Sequence, residues 1–171
     1  DDEEAFKVWC EEIRIPVSRI VADSSNFWSM GETGPFGHCS EIHIDLGENL
    51  GKDEVFSQGY SGNRFLELWN LVFMEFERRK DNTVEKLPKP SIDTGMGLER
   101  ILSVFEGVYS NYDTSLFMPL IKKLEEITSY RYKTGENDID VCFRVIADHA
   151  RATAFLIADG IYPSNEQRGY V

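Results

Sequence analysis

The sequence predicts an α+β fold in which an antiparallel sheet is followed by helices. Residues 42–76 contain two segments with strand patterns, and residues 98–159 contain three segments with the apolar spacing of helices. Strands grouped in one part of a chain and helices in another are typical of this class. With 42% hydrophobic residues, the chain can form a core. We place a domain boundary near residue 110, which gives a sheet-containing part (1–110) and a helical part (111–171).

The first sixty residues are predicted to contain one short helix, one strand and long loops. Residues 3–13 have a rough helical periodicity, which Pro16 ends. Residues 23–40 are rich in Gly, Ser and Pro and predict a loop. At 42–46 apolar and polar residues alternate, which is a strand pattern, and residues 47–63 again have loop composition.

The strongest strand pattern is Phe65–Phe76, which is largely apolar on both faces. This is expected of a strand inside a sheet. Asn70 is the one amide in its row, and a buried amide is costly unless it is paired. It could therefore hold a small polar ligand or bond a neighbouring loop. A turn at Arg78–Asn82 and a short extended segment at Ser91–Asp93 follow.

Three helices are predicted in the last part of the chain. The first has an apolar stripe from Leu98 to Phe105 and ends at Gly107. The second begins near Asp113, and Pro119 either kinks it or marks its first turn. The third covers 140–159 and ends before Gly160. Its predicted apolar stripe consists of Val145, Ile146, Thr153, Leu156 and Ile157.

The composition limits the classes of function. The chain has 18 Lys and Arg against 30 Asp and Glu, a net charge of -12, so it lacks the basic footprint of a nucleic-acid binder. No apolar run approaches the roughly 18 residues that span a bilayer, and no secretory signal is visible. Three dispersed cysteines, Cys10, Cys39 and Cys142, form no disulfide framework, which favours a reducing compartment.

The segment from Ile92 to Arg100 is the most informative for chemistry. Asp93 follows an extended segment, Gly95 and Gly97 allow close approach of the backbone, and a helix then begins. The free N–H groups of a helix start suit a phosphate or carboxylate, and Arg100 could bind an anion beside them. The same spacing also fits a glycine turn in which Asp93 caps the helix and Arg100 is solvated.

Two further segments carry candidate residues. The aromatic residues within the Gly-rich segment 26–41 could wall a ligand pocket or fill the space under a long loop. In and beyond it, His38, Cys39 and His43 do not have the spacing of an ordinary zinc site. The segment 148–151 on the last helix predicts a surface ion-pair ladder rather than a catalytic triad.

Taken together, these segments resemble the alanyl-tRNA synthetases, a family of class II aminoacyl-tRNA synthetases. The resemblance covers nearly the whole chain in ordered blocks. The blocks are Asn26–Trp28, Gly31–Pro35, Ser40–Ile42, Leu68–Met74, Leu87–Arg100, Arg144–His149, Phe155–Gly160 and Pro163–Glu166. It implies that 1–110 is the C-terminal part of a class II catalytic domain, with Asp93–Arg100 as its third motif. It also implies that 111–171 begins a helical tRNA-recognition region.

The resemblance implies a two-step ligase reaction. Alanine and ATP with Mg²⁺ would give alanyl-adenylate and pyrophosphate, and the alanyl group would pass to the 3′ end of tRNA-Ala. The implied partners are alanine and tRNA-Ala, without DNA or a membrane, in the cytoplasm or the mitochondrial matrix.

Roles in an alanine pocket follow from the same resemblance. Asp93 would hold the ammonium, Trp28 and Val72 would wall the pocket, Asn70 would hydrogen-bond the amino acid, and Gly95 would leave room for it.

The resemblance also assigns residues outside the alanine pocket. Arg100 would bind ATP phosphate beside Gly97. Glu67, predicted on the strand face opposite Asn70, is a candidate ligand for Mg²⁺. Asn165 matches the position that reads the acceptor-stem G·U pair from the minor groove, the accessible face of RNA. Without the resemblance, Asn165 would be interpreted as a turn residue.

Two departures from the family pattern matter. Phe36 and His38 stand where the family usually has Cys and Pro, so the family's loop shape is not carried over to this segment. Two earlier class II motifs, one supplying an arginine for the α-phosphate, have no match in the chain. We therefore expect an internal fragment of a ligase that is inactive alone. The alternative is a non-catalytic, synthetase-like module that binds tRNA or a protein.

Overall fold

The structure, a computed structural model, describes residues 2–170, and for Gln167 it describes the backbone alone. Asp1 and Val171, at the outer ends of the two predicted domains, lie outside the described residues. The chain forms two compact units, one up to Ile101 and one from Leu102 onward. The assignment of 1–110 and 111–171 to catalytic and tRNA-recognition regions stays a prediction.

The first unit contains a four-stranded antiparallel sheet whose strands follow chain order. The strands are β1 (Phe27–Ser29), β2 (Gly34–Asp45), β3 (Phe65–Arg78) and β4 (Val84–Met96). β3 lies between β2 and β4, as its two apolar faces predicted. The α+β prediction is confirmed, since the sheet is followed by helices.

The predicted loop over 23–40 is wrong where β1 and the start of β2 form. Glycine and proline hid the strand pattern there, because they carry no alternating side-chain signal. The extended segment at Ser91–Asp93 is part of a much longer strand. In the β3–β4 ladder Met74 pairs with Ser91 and Phe76 with Lys86, so a bulge leaves residues 87–90 unpaired. Strands tolerate proline at such a bulge because no ladder N–H is needed.

The predicted N-terminal helix is confirmed and is linked to the sheet by a hydrogen bond. Asp2 caps α1 (Glu3–Lys7), and a π-helical turn continues to Glu12. The Trp9 indole N–H donates to the Ser40 hydroxyl at 3.2 Å, which attaches this segment to β2.

Three helices follow β4. They are α2 (Leu98–Glu106), α3 (Met118–Thr128) and α4 (Asp138–Ala158). Gly107 and Gly160 have φ of 68° and 80° just beyond α2 and α4, the left-handed conformation that ends helices. Pro119 lies in the first turn of α3, one of its two predicted places. Within residues 2–170, no helix is both long and apolar enough to cross a membrane.

The core of the second unit lies between α3 and α4. Phe117, Ile121, Phe143 and Ala147 form a buried cluster. The predicted stripe of α4 is wrong in this unit, because Val145 and Leu156 remain 46% and 40% exposed. The face that packs on α3 instead carries Phe143 and Ala147, one helical turn apart.

Candidate amino-acid and nucleotide site

Four of the predicted pocket residues lie together on neighbouring strands. In the β3–β4 ladder Val72 pairs with Asp93, and Asn70 pairs with Gly95. Directly paired residues of an antiparallel sheet have side chains on the same face. The register therefore brings the amide, the apolar wall, the carboxylate and the glycine into one patch of the sheet.

The fifth predicted pocket residue, Trp28, comes from β1. Its indole N–H donates to the carbonyl oxygen of Phe73 at 3.2 Å, next in sequence to Val72. Trp28 pairs with Gly37 across β1 and β2. A Cβ at Gly37 would overlap the Phe73 carbonyl oxygen, so only glycine lets the strands approach this closely.

Gly95 leaves open space at the patch. A Cβ built at this position meets no atom within 4 Å. Its backbone φ is not in the left-handed region, so the glycine is not needed for the fold. What its missing side chain provides is room beside Asn70.

A polar network missed by the sequence analysis supports Asn70. The Asn70 Nδ2 group donates to Glu41 Oε1 at 3.3 Å, and Glu41 Oε2 lies 3.0 Å from His43 Nε2. Two atoms of the network are buried without a partner in the described part of the chain, Asn70 Oδ1 and His43 Nδ1. The Ser40–Ile42 block of the resemblance contains Glu41, but only the cross-strand register shows that it faces Asn70.

The thiol of Cys39 lies in the same patch, because Cys39 pairs with Val72. Burial raises its pKa to about 11, and the charges of Glu41 and Glu67 add to the increase. The negative charges of both carboxylates therefore affect the electrostatic potential at this part of the sheet. The thiol stays protonated and is unsuited to act as a nucleophile near neutral pH.

The assumed alternation of β3 does not hold at Glu67. Ile42 pairs with Trp69 but His43 pairs with Glu67, so β3 has an irregularity at Leu68. A bulge of this kind redirects side chains relative to simple alternation. Simple alternation therefore does not determine the face of Glu67, and its place opposite Asn70 stays a prediction.

Arg100 lies at the start of α2, where it contacts β3. Its Nη1 group donates to the Glu67 carbonyl oxygen at 2.8 Å and lies 3.0 Å from Glu67 Oε2. The Gly97 N–H donates to the Leu68 carbonyl at 3.1 Å, which fixes the helix start to the strand. The arrangement brings a guanidinium, a carboxylate and a helix N-terminus together.

The metal-ligating side chains of residues 2–170 do not cluster. No group of three His, Cys, Asp or Glu residues in this range could hold a metal ion. Glu67, the candidate ligand for Mg²⁺, already shares its carboxylate with Arg100. By themselves, the described residues therefore do not form a Mg²⁺ site.

Phe36 and His38, the two residues that depart from the family pattern, have partners of their own. Phe36 is buried, with its ring centroid 5.6 Å from that of Phe27 and 5.4 Å from that of Phe76. The backbone N–H and the ring Nδ1 of His38 lie 3.0 and 2.7 Å from Glu75 Oε2. Burial alone would raise the pKa of Glu75, but these contacts lower it below its usual value.

Asn165 belongs to the second unit. It is exposed in a bend after Ser164, which forms an isolated bridge with Tyr170. An exposed amide in a bend fits both the RNA-reading role and the turn role, so its function stays a prediction.

Comparisons with known proteins identify the family of the chain. The family model for class II (A) tRNA synthetases matches residues 1–171. Alanine–tRNA ligases of Magnetococcus marinus and Francisella philomiragia are 49% and 52% identical to the chain, each over 173 residues, covering 100% and 99% of it. That of Helicobacter acinonychis is 51% identical over 172 residues, covering 99%. These alignments cover 20%, 19% and 20% of the three relatives, so the chain spans about a fifth of their length.

The resemblance inferred from the sequence is thus confirmed at the level of the family. The model match has no gap at either end of the chain, and about half of the residues are identical in each relative. The chain belongs to the class II (A) tRNA synthetases.

Proposed function

We propose that the chain is part of an alanine–tRNA ligase and supplies much of its alanine pocket. The observation that carries the proposal is the register of β3 and β4, which pairs Val72 with Asp93 and Asn70 with Gly95. One patch then offers an anion, an amide, an apolar surface and an empty volume. Alanine, a small zwitterion with one methyl group, requires that combination.

In the proposed pocket Asp93 binds the alanine ammonium. The Asp93 carboxylate accepts a hydrogen bond from the Thr94 N–H at 2.8 Å, which restrains its position. A charge-assisted hydrogen bond from an ammonium is stronger than a neutral one. Val72 and Trp28 wall the methyl side, and the space at Gly95 accommodates the substrate.

Such a pocket rejects larger amino acids more strongly than glycine or serine. Larger side chains are excluded by Trp28 and Val72, but glycine and serine differ from alanine by only one small group. One methylene changes discrimination by roughly 1–3 kcal/mol, and an added hydroxyl is poorly rejected. We therefore expect serine and glycine to be the principal misactivated amino acids.

ATP is proposed to bind through Arg100 and the start of α2 at Gly97. The Arg100–Glu67 pair is partly exposed, with side chains 41% and 35% accessible. An exposed pair of this kind is worth about 0–1 kcal/mol, so a polyphosphate can compete with Glu67 for the guanidinium. The helix N-terminus adds N–H groups and a positive dipole end.

Activation of alanine in this site needs little proton chemistry from the chain. The alanine carboxylate is itself the nucleophile at the α-phosphate, so no general base is required. The protein's part is to orient both substrates and to stabilise developing charge. Mg²⁺, bound with ATP, would neutralise phosphate charge, and Glu67 is the single ligand that we propose from this chain.

Recognition of tRNA-Ala is assigned to the helical part, with Asn165 as the proposed contact to the acceptor stem. Its exposed amide can both donate and accept hydrogen bonds, as reading a base-pair edge requires. The cytoplasm or the mitochondrial matrix is the proposed location, since the substrates of such a ligase are found there.

The test uses the full-length protein that contains this chain. Alanine-dependent exchange between ATP and pyrophosphate should occur, and Asp93→Asn should raise the alanine KM by on the order of 100-fold. The matched control is Asp81→Asn, because Asp81 is exposed in the β3–β4 turn and bonds Thr83 locally. Unchanged alanine kinetics in Asp93→Asn would remove the ammonium role. Binding of tRNA-Ala without any exchange would instead identify the non-catalytic module.

A further inference from the structure

The side-chain amide of Asn70 is held in one orientation by Glu41. The Asn70 Nδ2 group lies 3.3 Å from Glu41 Oε1, and the two residues are direct partners in the β2–β3 ladder. An ionised carboxylate can only accept hydrogen bonds. The opposite orientation of the amide would set its carbonyl oxygen against a carboxylate oxygen and is therefore disfavoured.

This orientation determines what Asn70 can offer a ligand. One of the two N–H groups of the amide donates to Glu41, while Oδ1 is buried and has no partner among residues 2–170. A carbonyl oxygen accepts hydrogen bonds and cannot donate them. A group that satisfies this atom must carry N–H or O–H donors.

We infer that Glu41 is a positioning residue that makes Asn70 an acceptor for the ammonium of the amino-acid substrate. The inference rests on the proposed function and deepens it. An ammonium has three N–H donors, and the sheet register supplies two acceptors, Asn70 Oδ1 and the Asp93 carboxylate. The substrate carboxylate has no donor, so it cannot satisfy Asn70 Oδ1 and stays free to react.

His43 completes the arrangement by holding Glu41. Its Nε2 atom lies 3.0 Å from Glu41 Oε2, while Nδ1 is buried without a partner. The neutral tautomer with the proton on Nε2 donates to Glu41 and leaves no buried donor unpaired. Glu41 is thus bonded through both carboxylate oxygens, which fixes the plane that it presents to Asn70.

The test measures alanine and ATP kinetics of the full-length protein with substitutions at Glu41. In Glu41→Ala the alanine KM should rise on the order of 10–100-fold, as for other supporting residues one step from a ligand, while the ATP KM changes less than about twofold. Glu41→Gln should recover most of the loss, because a glutamine oxygen accepts the same Asn70 N–H. Glu77→Ala, at an exposed position of β3, is the matched control.

A substrate analogue separates positioning from a general structural role. Alaninol keeps the ammonium of alanine and lacks its carboxylate, so its inhibition constant should rise in Glu41→Ala by a factor similar to that of the alanine KM. A purely structural defect would raise the ATP KM as well. An unchanged alanine KM in folded Glu41→Ala, or equal increases for both substrates, overturns the inference.

Exchanging the carboxylate and the amide between positions 41 and 70 tests the inference where Glu41→Ala does not fold. Asn70→Asp opposes two carboxylates and should impair alanine use. Adding Glu41→Gln should restore it, since the glutamine NH₂ then donates to the new carboxylate. A folded double variant without restoration overturns the inference. A wild-type protein without alanine-dependent exchange would defeat the proposed function, a result distinct from any result at Glu41.

Discussion

The guanidinium of Arg100 is bound by Glu67 through both the side chain and the backbone of that residue. Arg100 Nη1 lies 3.0 Å from Glu67 Oε2 and 2.8 Å from the Glu67 carbonyl oxygen. The bond from Arg100 to the Glu67 carbonyl oxygen can persist while the guanidinium exchanges the Glu67 carboxylate for another anion. If Arg100 binds ATP as proposed, this relationship gives Glu67 an effect on nucleotide binding that does not depend on a metal.

The first prediction concerns Arg100 itself. In the full-length protein, Arg100→Ala should raise the ATP KM by on the order of 10–100-fold, because a charge-assisted phosphate contact is lost. The alanine KM should change little. Arg79→Ala is the control, since Arg79 is an exposed arginine paired with Glu85 on the sheet. Equal ATP kinetics in the two variants would exclude Arg100 as the phosphate ligand.

The variant Glu67→Gln separates two proposed roles of Glu67, positioning of Arg100 and binding of Mg²⁺. Glu67→Gln weakens the hold on the Arg100 guanidinium, so we expect a several-fold change in the ATP KM. If Glu67 also binds Mg²⁺, the Mg²⁺ concentration for half-maximal exchange should rise as well, because an amide is a poorer ligand for this ion. A change in the ATP KM at a constant Mg²⁺ requirement would leave Glu67 only its positioning role.

The parts of the fold that were predictable have a continuous side-chain signal. β3 is apolar on both faces and α2 has a clear apolar stripe, so both were predicted. β1 and the start of β2 were missed because their glycines and prolines carry no such signal. The stripe of α4 failed for another reason: the partner of a helix face is a tertiary fact that periodicity does not contain.

In the candidate site, too, some residues could be predicted from the sequence and others could not. Asp93 and Gly95 were identified from local sequence, and the ladder then showed that they pair with Val72 and Asn70. Glu41 was missed because its relation to Asn70 crosses two strands that are distant in sequence. The strand face of Glu67 was predicted from simple alternation, which cannot reveal the bulge at Leu68.

The raised pKa of Cys39 gives a prediction that needs no substrate. With its pKa at about 11, chiefly through burial, the thiol has a thiolate fraction near pH 8.5 on the order of 100-fold below that of an ordinary cysteine. Iodoacetamide should therefore modify exposed Cys142 far faster than Cys39, as peptide mass spectrometry can measure. Glu41→Ala should accelerate the reaction at Cys39, because one of the charges that raise the pKa is removed. Similar rates at both cysteines in the folded chain would contradict the raised pKa of Cys39.

Asp140 should make the helical unit sensitive to acid. Burial alone would raise its pKa, but N–H groups of Lys133, Gly135 and Asn137 at 2.6–2.8 Å and the charge of Arg144 lower it below its usual value. A carboxyl whose folded-state pKa is lowered adds stability above its unfolded pKa, and this stability is lost as the pH falls through the folded pKa. The Tm of the chain should therefore fall below about pH 4.

The Asp140→Asn variant tests that assignment by calorimetry. It should lower the Tm at pH 7 by roughly 5–10 °C, because the buried acceptor site loses its charge. Its Tm should also depend less on pH below about 4 than that of the wild type. Asp138→Asn, in the same helical turn but exposed, is the control. Parallel Tm profiles of Asp140→Asn and the wild type would show that another group causes the acid sensitivity.

Gly37 and Gly95 should respond differently to substitution by alanine. Gly37→Ala places a Cβ on the Phe73 carbonyl oxygen, so β2 must move away from β3. Overpacking of this kind costs about 1–3 kcal/mol, and the fluorescence of Trp28, whose indole binds the same carbonyl, should change with it. Gly95→Ala meets no atom within 4 Å, so the Tm should stay nearly constant. The new methyl would instead occupy the proposed substrate volume beside Asn70 and raise the alanine KM of the full-length protein. If Gly95→Ala lowered the Tm and left the alanine KM unchanged, the open space at Gly95 would belong to the fold and not to the pocket.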